Sequence, residues 1–179
     1  KITFQRQETR VTVDSFKFLP RIIAAFYQTT NIDDFGSIPW TTLSKPLSEC
    51  KISLVTTGGI YHQPTQKPFD VEKEKGEPTW GDPSFRALPS SMSQNQVGVS
   101  HLHLNPEPII QDLNVLLPLD RVQKLVEEGL LGALADTVYS FMGYQGFPPN
   151  TQAWQSTFGP EVAHRMKQEE VDCVLLTPA

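Results

Sequence analysis

Two histidines, His101 and His103, are the side chains of this sequence best suited to chemistry. They lie in a stretch, 97–104, whose composition predicts a strand. Alternate residues of a strand point to the same face, so the two imidazoles are expected to lie close together. Such a pair could shuttle a proton, hold a carboxylate or bind a metal. The sequence offers no identifiable third ligand, so hydrogen-bonded histidines explain the pattern better than a metal site.

Asp112 and Asn114 lie two positions apart shortly after the histidines. Polar side chains that follow a strand are typical of a substrate pocket. Turns and helix caps use the same residue types. Both interpretations stay open at the level of the sequence, and the first predicts Asp112 and Asn114 as substrate-binding residues.

A pair of glycines, Gly58 and Gly59, follows a predicted strand over 51–56. Successive backbone N–H groups at such a position could bind an anion, for example a substrate carboxylate. A flexible turn between strand and loop is the alternative. The glycine spacing is not that of a dinucleotide-binding fingerprint.

Tyr139 and Tyr144 lie in and after another predicted strand segment, 137–144. Their hydroxyl groups could donate hydrogen bonds to a bound anion, or their rings could close the core over the sheet edge. The two cysteines are weaker candidates. Cys173 lies among apolar residues, where a thiol is normally inert, and the neighbours of Cys50 give little reason for an activated thiolate.

Apolar strands alternate with amphipathic helices along the chain. The predicted core strands are 51–56, 97–104 and 171–177, and the predicted helices are 19–29, one opened by Pro118 and ended by Gly129, and one from about 159 that turns Val162, Ala163 and Met166 inward. This alternation predicts an α/β fold with a mostly parallel sheet flanked by helices. The carboxyl ends of the strands should share one side, where such sheets bind ligands.

The segment 61–96 is rich in Pro, Gly, Ser, Gln and charged residues, which predicts a long irregular loop. The 179 residues suit one α/β domain over 1–179. A first residue that is not Met, and a last residue at the end of a buried strand, suggest part of a longer chain.

The net charge of −5, without a basic stripe, argues against a nucleic-acid partner. No apolar run is long enough to span a membrane. The two cysteines lack the spacing of a disulfide framework, which indicates a reducing compartment and a cytoplasmic protein.

Several segments together carry a family resemblance, and it covers the chain from about residue 13 onward. They are 46–55, 81–86, 100–105, 112–114, 139–144 and 171–178. They resemble the selenoprotein B family of glycine, betaine, sarcosine and D-proline reductases, and especially its D-proline reductase-like branch.

The resemblance implies reductive cleavage of a carbon–nitrogen bond by a cysteine or selenocysteine nucleophile, with electrons from a dithiol donor. In that family the nucleophile lies just beyond the strand that here ends near Ala179, so no position of this sequence matches it. This segment alone is therefore expected to be inactive and to hold no cofactor.

Within that interpretation His101 and His103 are the predicted catalytic residues, for proton transfer or substrate orientation. The expected partners are a small amino-acid-like substrate and either another reductase subunit or a second copy of the chain. The alternative is a non-catalytic α/β subunit that binds a small amino acid or carboxylate. A metal-dependent hydrolase that uses the histidine pair is a third possibility and would require bound metal.

Overall fold

The computed structural model describes residues 41–179 together with Arg21 and Ala25. The chain divides into two units, Lys1–Thr41 and Thr42–Ala179. The single α/β domain over 1–179 stays a prediction. Most of the helix predicted over 19–29 lies outside the described residues.

The described elements alternate between strands and helices. The strands are β1 Lys51–Thr56, β2 Ile60–His62, β3 Phe85–Pro89, β4 Val97–Val99, β5 Ala133–Leu134, β6 Thr137–Phe141 and β7 Cys173–Thr177. The α-helices are α1 Val71–Gly76, α2 Glu107–Gln111, α3 Leu119–Glu127 and α4 Gly159–Gln168. A π-helical segment, Trp154–Phe158, leads into α4.

Strand β1 is the centre of the main sheet because both of its edges carry parallel partners. β7 pairs with it along one edge, from Ile52 opposite Cys173 to Thr56 opposite Thr177. β5 and β6 pair with the first and last residues of β1 respectively. β3 is antiparallel to β6. The prediction of an α/β fold with a mostly parallel sheet is therefore confirmed, with β3 as the exception.

Apolar residues on alternate positions of the strands form two core clusters, because successive strand side chains point to opposite faces of the sheet. One cluster contains Leu54, Leu88 and Val138 with residues of α2 and α3. The other contains Tyr139 and Phe141 with residues of α4. Burying a side chain of this size stabilises a fold by about 1.5–3 kcal/mol, so both faces of the sheet contribute to stability.

The two longer helices follow the sequence prediction closely. α3 begins after Pro118, and Gly129 has the positive φ of 71° that favours glycine just beyond a helix end. α4 carries Val162 and Met166 inward as predicted. Ala163 is exposed, which corrects the prediction for that residue.

The prediction of a core strand over 97–104 is wrong in two respects, because the strand is shorter and does not belong to the main sheet. Only β4 is extended, and it pairs antiparallel with β2 in a separate two-stranded ribbon. Gly98 leaves room for the ring of Tyr61, which would lie 2.3 Å from a Cβ at that position. The last ladder contact is the Ser100 N–H donating to the Gly59 carbonyl. His101 and His103 therefore lie after the strand, in a turn.

The prediction of a long irregular loop over 61–96 is also wrong, because this segment contains most of β2 and all of α1 and β3. Polar side chains rather than apolar ones organise it. Asp70 caps α1 by accepting a hydrogen bond from the Lys73 N–H. Composition alone did not show that these polar residues would bond to one another.

Strand β7 is more exposed than the sequence predicted. Val174, Leu175 and Leu176 are exposed to between 38% and 68%. Among the described residues β7 pairs only with β1, so it lies at an edge of the sheet. Within the described part of the chain, no helix has the length and apolar character that a membrane crossing needs.

Candidate functional site

The carboxyl ends of β1, β6 and β7 meet at one place, which we call the carboxyl edge and define by Thr57, Gly143 and Ala179. The Gly143 N–H donates to the Thr57 carbonyl at 2.8 Å. The Ala179 N–H donates to Thr57 Oγ1 at 2.9 Å. Parallel strands place their ends together in this way, and ligands of α/β sheets bind beyond such ends.

His101 lies against the carboxyl edge, in a space left by two glycines. A Cβ on Gly143 would lie 3.3 Å from His101 Nε2, and a Cβ on Gly59 would lie 3.3 Å from His101 Cβ. Gly59 also has a positive φ of 62°, a backbone conformation that glycine adopts without strain. Burial, together with the nearby His103, lowers the pKa of His101 and favours its neutral form.

The two predicted catalytic histidines are neighbours, although not for the reason predicted. The His103 backbone N–H donates to His101 Nδ1 at 3.1 Å. Their ring centroids are 5.9 Å apart and the rings are nearly perpendicular. A side chain that binds the backbone two residues on stabilises a turn, so the imidazole of His101 itself helps to end the extended conformation.

Glu74 is the third member of the group, and it comes from α1. Its Oε1 lies 3.0 Å from His103 Nε2, and its side chain is only 2% exposed. Its other oxygen, Oε2, is buried without a hydrogen-bond partner. Burial raises the pKa of Glu74, and the hydrogen bond with His103 opposes that rise. A single proton can therefore be held between this carboxylate and the imidazole.

Tyr144 completes the group, which we call the histidine cluster: His101, His103, Glu74 and Tyr144. The Tyr144 ring lies against the His103 ring with centroids 4.3 Å apart and an angle of 38° between the planes. The Tyr144 hydroxyl donates to the carbonyl of Pro78. The ring is therefore held at both ends and fixes the orientation of the imidazole.

The segment 81–86, which carries part of the family resemblance, holds α1 in place. Asp82 Oδ2 accepts a hydrogen bond from the Asp70 N–H, and its Oδ1 accepts from the N–H and hydroxyl of Ser84. The Arg86 guanidinium lies over the Phe69 ring and donates to the carbonyls of Lys67 and Pro68. These contacts fix the start of α1 and hence the position of Glu74.

The same segment is attached to the chain around Tyr144. Gln145 donates from its side-chain amide to the carbonyls of Asp82, Met142 and Tyr144. A Cβ on Gly81 would lie 2.1 Å from the Tyr144 carbonyl oxygen, so the two backbones are in direct contact. Glu74 and Tyr144 are therefore positioned by one connected network.

A cavity of about 290 Å³ lies beside this network. Trp80, Gly81, Gln145 and Ser156 are among the residues that line it, and none of its lining residues is charged. It contains no member of the histidine cluster. His103, with a side chain 52% exposed, instead faces solvent.

The predicted anion-binding glycines already use their N–H groups within the fold. Gly58 donates to Thr56 Oγ1 at 3.2 Å, and Gly59 donates to the Phe141 carbonyl at 2.9 Å. Gly58 is also in close contact with Leu116, whose side chain would clash with a Cβ there. The glycines thus allow close packing beside His101, and substrate binding by them stays a prediction.

Asp112, Asn114 and Tyr139 lie outside the histidine cluster. Asp112 accepts hydrogen bonds from Asn114, and Asn114 also bonds to Asp120, which is a turn arrangement. The Asn114 contacts lower the pKa of Asp112. Tyr139 is 1% exposed in the core, against Phe85, and burial raises the pKa of its hydroxyl. Of the predicted site residues, the structure joins His101, His103 and Tyr144, whereas the described contacts of Asp112 are with other residues.

The two cysteines lie at the opposite, amino end of the sheet. Cys50 is fully buried and its thiol donates to the Pro46 carbonyl. Cys173 is the first residue of β7, and burial, together with neighbouring Cys50 and Asp172, raises the pKa of its thiol. A raised pKa reduces the thiolate fraction and makes a thiol a poorer nucleophile. Within 41–179, no set of three or more His, Cys, Asp or Glu side chains could hold a metal ion.

Glu74 could not be identified as a site residue from the sequence. Its charged segment, Asp70 to Lys75, was visible in the sequence, but a solvent-exposed charged helix has the same pattern. Asp70, a residue type that favours the start of a helix, was the available signal for α1. Nothing local indicates that one of the following glutamates is buried beside a histidine.

A mostly parallel α/β sheet with polar side chains beside its carboxyl edge defines the class of fold. Comparison with known proteins defines the family. The model of the glycine/sarcosine/betaine reductase selenoprotein B family matches residues 13–179, and the chain belongs to that family. No solved structure matches the chain.

Three curated relatives illustrate the range of the family. The chain is 35% identical to the D-proline reductase subunit gamma of Acetoanaerobium sticklandii over 77% of its own length and 52% of the relative's. It is 30% identical to a glycine reductase complex component B subunit gamma of Symbiobacterium thermophilum, covering 80% of the chain and 32% of the relative. It is 29% identical to a betaine reductase complex component B subunit beta of Peptoclostridium acidaminophilum, covering 74% and 29%. The chain thus spans about half the length of the first relative and less than a third of the last.

Proposed function

We propose that this chain is part of a reductase subunit that reductively cleaves a carbon–nitrogen bond of a small amino acid, such as D-proline, glycine, betaine or sarcosine. The family and the names of the relatives support an oxidoreductase role within a complex of several subunits. The nucleophile is a cysteine or selenocysteine beyond residue 179. His101 and His103 serve proton transfer or substrate orientation.

The observation that carries this proposal is the position of the histidine cluster beside the carboxyl edge. Thr57 contacts both the end of β7, through Ala179, and the strand end at Gly143, against which His101 lies. A nucleophile that follows β7 would therefore start close to the imidazoles. Two adjacent strands would supply the nucleophile and the polar groups, which is a common arrangement in α/β sheets.

The proposed chemistry balances with one dithiol per turnover. The thiolate or selenolate forms a bond to the carbon that carries the nitrogen, and the carbon–nitrogen bond breaks with its electron pair going to nitrogen, which takes up a proton. The dithiol then supplies two electrons and two protons and becomes a disulfide. The carbon–sulfur or carbon–selenium bond breaks, the carbon gains a hydrogen, and the free thiol or selenol is restored. From glycine, betaine and sarcosine the products are the reduced carbon chain and a separate amine, whereas cleavage of the D-proline ring leaves the amine at the other end of one ring-opened chain. The dithiol donor, a partner subunit or second copy of the chain, and a cytoplasmic location are parts of the same proposal.

Alanine variants of the two histidines test the proposal in the complete protein with its partner subunits. We expect His103→Ala to lower kcat/KM by about 100-fold or more, the range in which removal of a proton-transfer group usually falls. His101→Ala should lower it by about tenfold or more, the effect of losing a hydrogen bond to a charged substrate group. The measurement is amine release from glycine, betaine and sarcosine, or formation of the ring-opened amino acid from D-proline, with a dithiol as reductant. Unfolding midpoints should stay close to that of the unmodified protein.

His164, an exposed residue of α4, provides the matched control. His164→Ala should leave turnover unchanged. Full activity of both site variants would contradict the role of the histidines. A complete protein that binds one of these substrates but never cleaves its carbon–nitrogen bond would instead favour the non-catalytic binding subunit, which the absence of an activated cysteine among the described residues also fits.

A further inference from the structure

We propose that the two histidines have different tasks: His101 is a fixed hydrogen-bond donor, through Nε2, to the carboxylate of the substrate, and His103, oriented by Glu74, transfers the proton to the departing nitrogen. This inference rests on the proposed function. It assigns a separate task to each imidazole and adds Glu74 as a positioning residue.

The tautomer of His101 follows from its hydrogen bond. A backbone N–H can only donate, so the bond from the His103 N–H requires an unprotonated Nδ1 on His101. The neutral imidazole then carries its proton on Nε2. Partial burial and His103 also disfavour a second proton, because both lower the pKa of His101. Its Nε2 can therefore donate a hydrogen bond but cannot act as a base.

The position of His101 Nε2 identifies what it would bind. It lies beside Gly143, at the carboxyl edge where Thr57 and the end of β7 meet. A donor there suits an oxygen of a carboxylate, the negative group that every substrate of the proposed reaction carries. The N–H groups of Gly58 and Gly59 already have acceptors, so His101 supplies the donor that those glycines do not.

The two ring nitrogens of His103 have the reverse roles of those of His101. Its Nε2 is taken by the buried Glu74 carboxylate, and its Nδ1 has no hydrogen-bond partner among residues 41–179. Nδ1 is therefore the atom that can exchange a proton with a ligand. A carboxylate behind an imidazole holds its tautomer and stabilises the imidazolium, as the acidic residue does in catalytic triads.

The proton transfer requires no further reagent. As the carbon–nitrogen bond breaks, the Nδ1 proton of the His103 imidazolium moves to the nitrogen, and the neutral ring keeps its Nε2 proton toward Glu74. Solvent restores the Nδ1 proton, because half of the side chain is exposed. Stacking against Tyr144 keeps the ring plane constant through the cycle.

Nitrogen-15 NMR of the complete protein, labelled at histidine, tests the His101 tautomer without any need for turnover. We expect unprotonated Nδ1 and protonated Nε2 on His101 throughout the range of about pH 6 to 8, where a free imidazole changes its charge. A His101→Gln sample identifies the signals. An Nδ1-protonated or cationic His101 would overturn the inference even if the protein were an active reductase.

Kinetics of three variants test the separation of tasks. Gln places its amide N–H near the position of imidazole Nε2, and Asn places it near Nδ1. His101→Gln should therefore keep KM within about threefold, whereas His101→Asn should raise KM about 10- to 100-fold, the effect of losing one hydrogen bond to a charged group. Glu74→Gln should lower kcat at least tenfold with KM nearly unchanged.

Equal increases in KM for His101→Gln and His101→Asn would refute the donor role of His101. If Glu74→Gln changed only KM and left kcat unchanged, the positioning role of Glu74 would be refuted. A complete protein that turns over none of the four substrates, but shows the expected His101 tautomer, would contradict the proposed reaction and leave the donor at the carboxyl edge in place.

Discussion

At the scale of single residues, the site depends on contacts between side chains far apart in the sequence. His103 and Glu74 are separated by 29 positions, yet their nitrogen and oxygen lie 3.0 Å apart. Glycines provide the space beside the neighbouring His101, because a Cβ at Gly59 or Gly143 would press on its side chain. Adding one carbon atom at either glycine should therefore affect chemistry more than folding.

Gly143→Ala is the clearest test at this scale. The added Cβ would lie 3.0 Å from the Thr57 carbonyl oxygen and 3.3 Å from His101 Nε2, so His101 must shift by a few tenths of an ångström. Displacement of a group that contacts substrate can lower turnover by about 100-fold. We expect a loss of kcat/KM of about 10- to 100-fold in the complete protein, measured by formation of the cleaved product, with a small change in thermal midpoint.

Gly76→Ala is the control, because a Cβ on Gly76 in α1 would have no neighbour within 4 Å. It should leave activity unchanged and stabilise the protein slightly. If Gly143→Ala were as active as Gly76→Ala, the space beside His101 would not matter for function.

At the scale of elements, α1 acts as a support for the histidine cluster. A helix of six residues is too short to be stable alone, so other groups must hold it. Asp82 provides the main connection, since it binds both Asp70, the cap of α1, and Ser84. The segment 81–86 therefore influences the histidine cluster indirectly, by holding α1, although none of its residues belongs to the cluster.

Asp82→Ala should accordingly affect stability and activity together. Each lost hydrogen bond contributes about 1 kcal/mol, so we expect the free energy of unfolding to fall by about 2–3 kcal/mol in denaturant titrations. The loosened α1 should also reduce kcat, because Glu74 would no longer hold His103. Asp136→Ala, at an exposed position, should change neither quantity. Wild-type kcat in a destabilised Asp82→Ala protein would show that α1 does not support the site.

At the scale of the whole molecule, the parallel sheet separates two kinds of residue. The histidine cluster lies at the carboxyl ends of the strands, whereas Cys50 and Cys173 lie at the amino ends of β1 and β7. Parallel pairing of these two strands puts both cysteines on the side away from the site. Neither can reach a carbon atom that is held beside His101.

Alkylation of the native, complete protein tests this separation. Iodoacetamide should inactivate the proposed reductase by labelling a cysteine or selenocysteine beyond Ala179. Cys50 should react slowly because it is fully buried, and Cys173 because it is half-buried and its thiol pKa is raised. Mass mapping of the labelled peptides measures this. Denatured protein, in which both cysteines should react, is the control, and rapid labelling of Cys173 with loss of activity would place the nucleophile there instead.

The sequence by itself determined the elements whose signals are local. Apolar runs gave β1, β6 and β7, and a proline and a glycine marked the two ends of α3. It also determined the family, because the matching segments are short runs of specific residues. The two histidines were recognised by their type and spacing alone.

Only the tertiary structure decided how the site is built. The alternation that predicted a strand over 97–104 could not show that His101 would bind the backbone of His103 and turn the chain. The composition of 61–96 could not show that Asp82 and Arg86 would order it, or that Glu74 would be buried. The physical reason is common to all three cases: a polar side chain costs free energy to bury unless it finds a partner, and here the partners are brought together only when distant segments fold against one another.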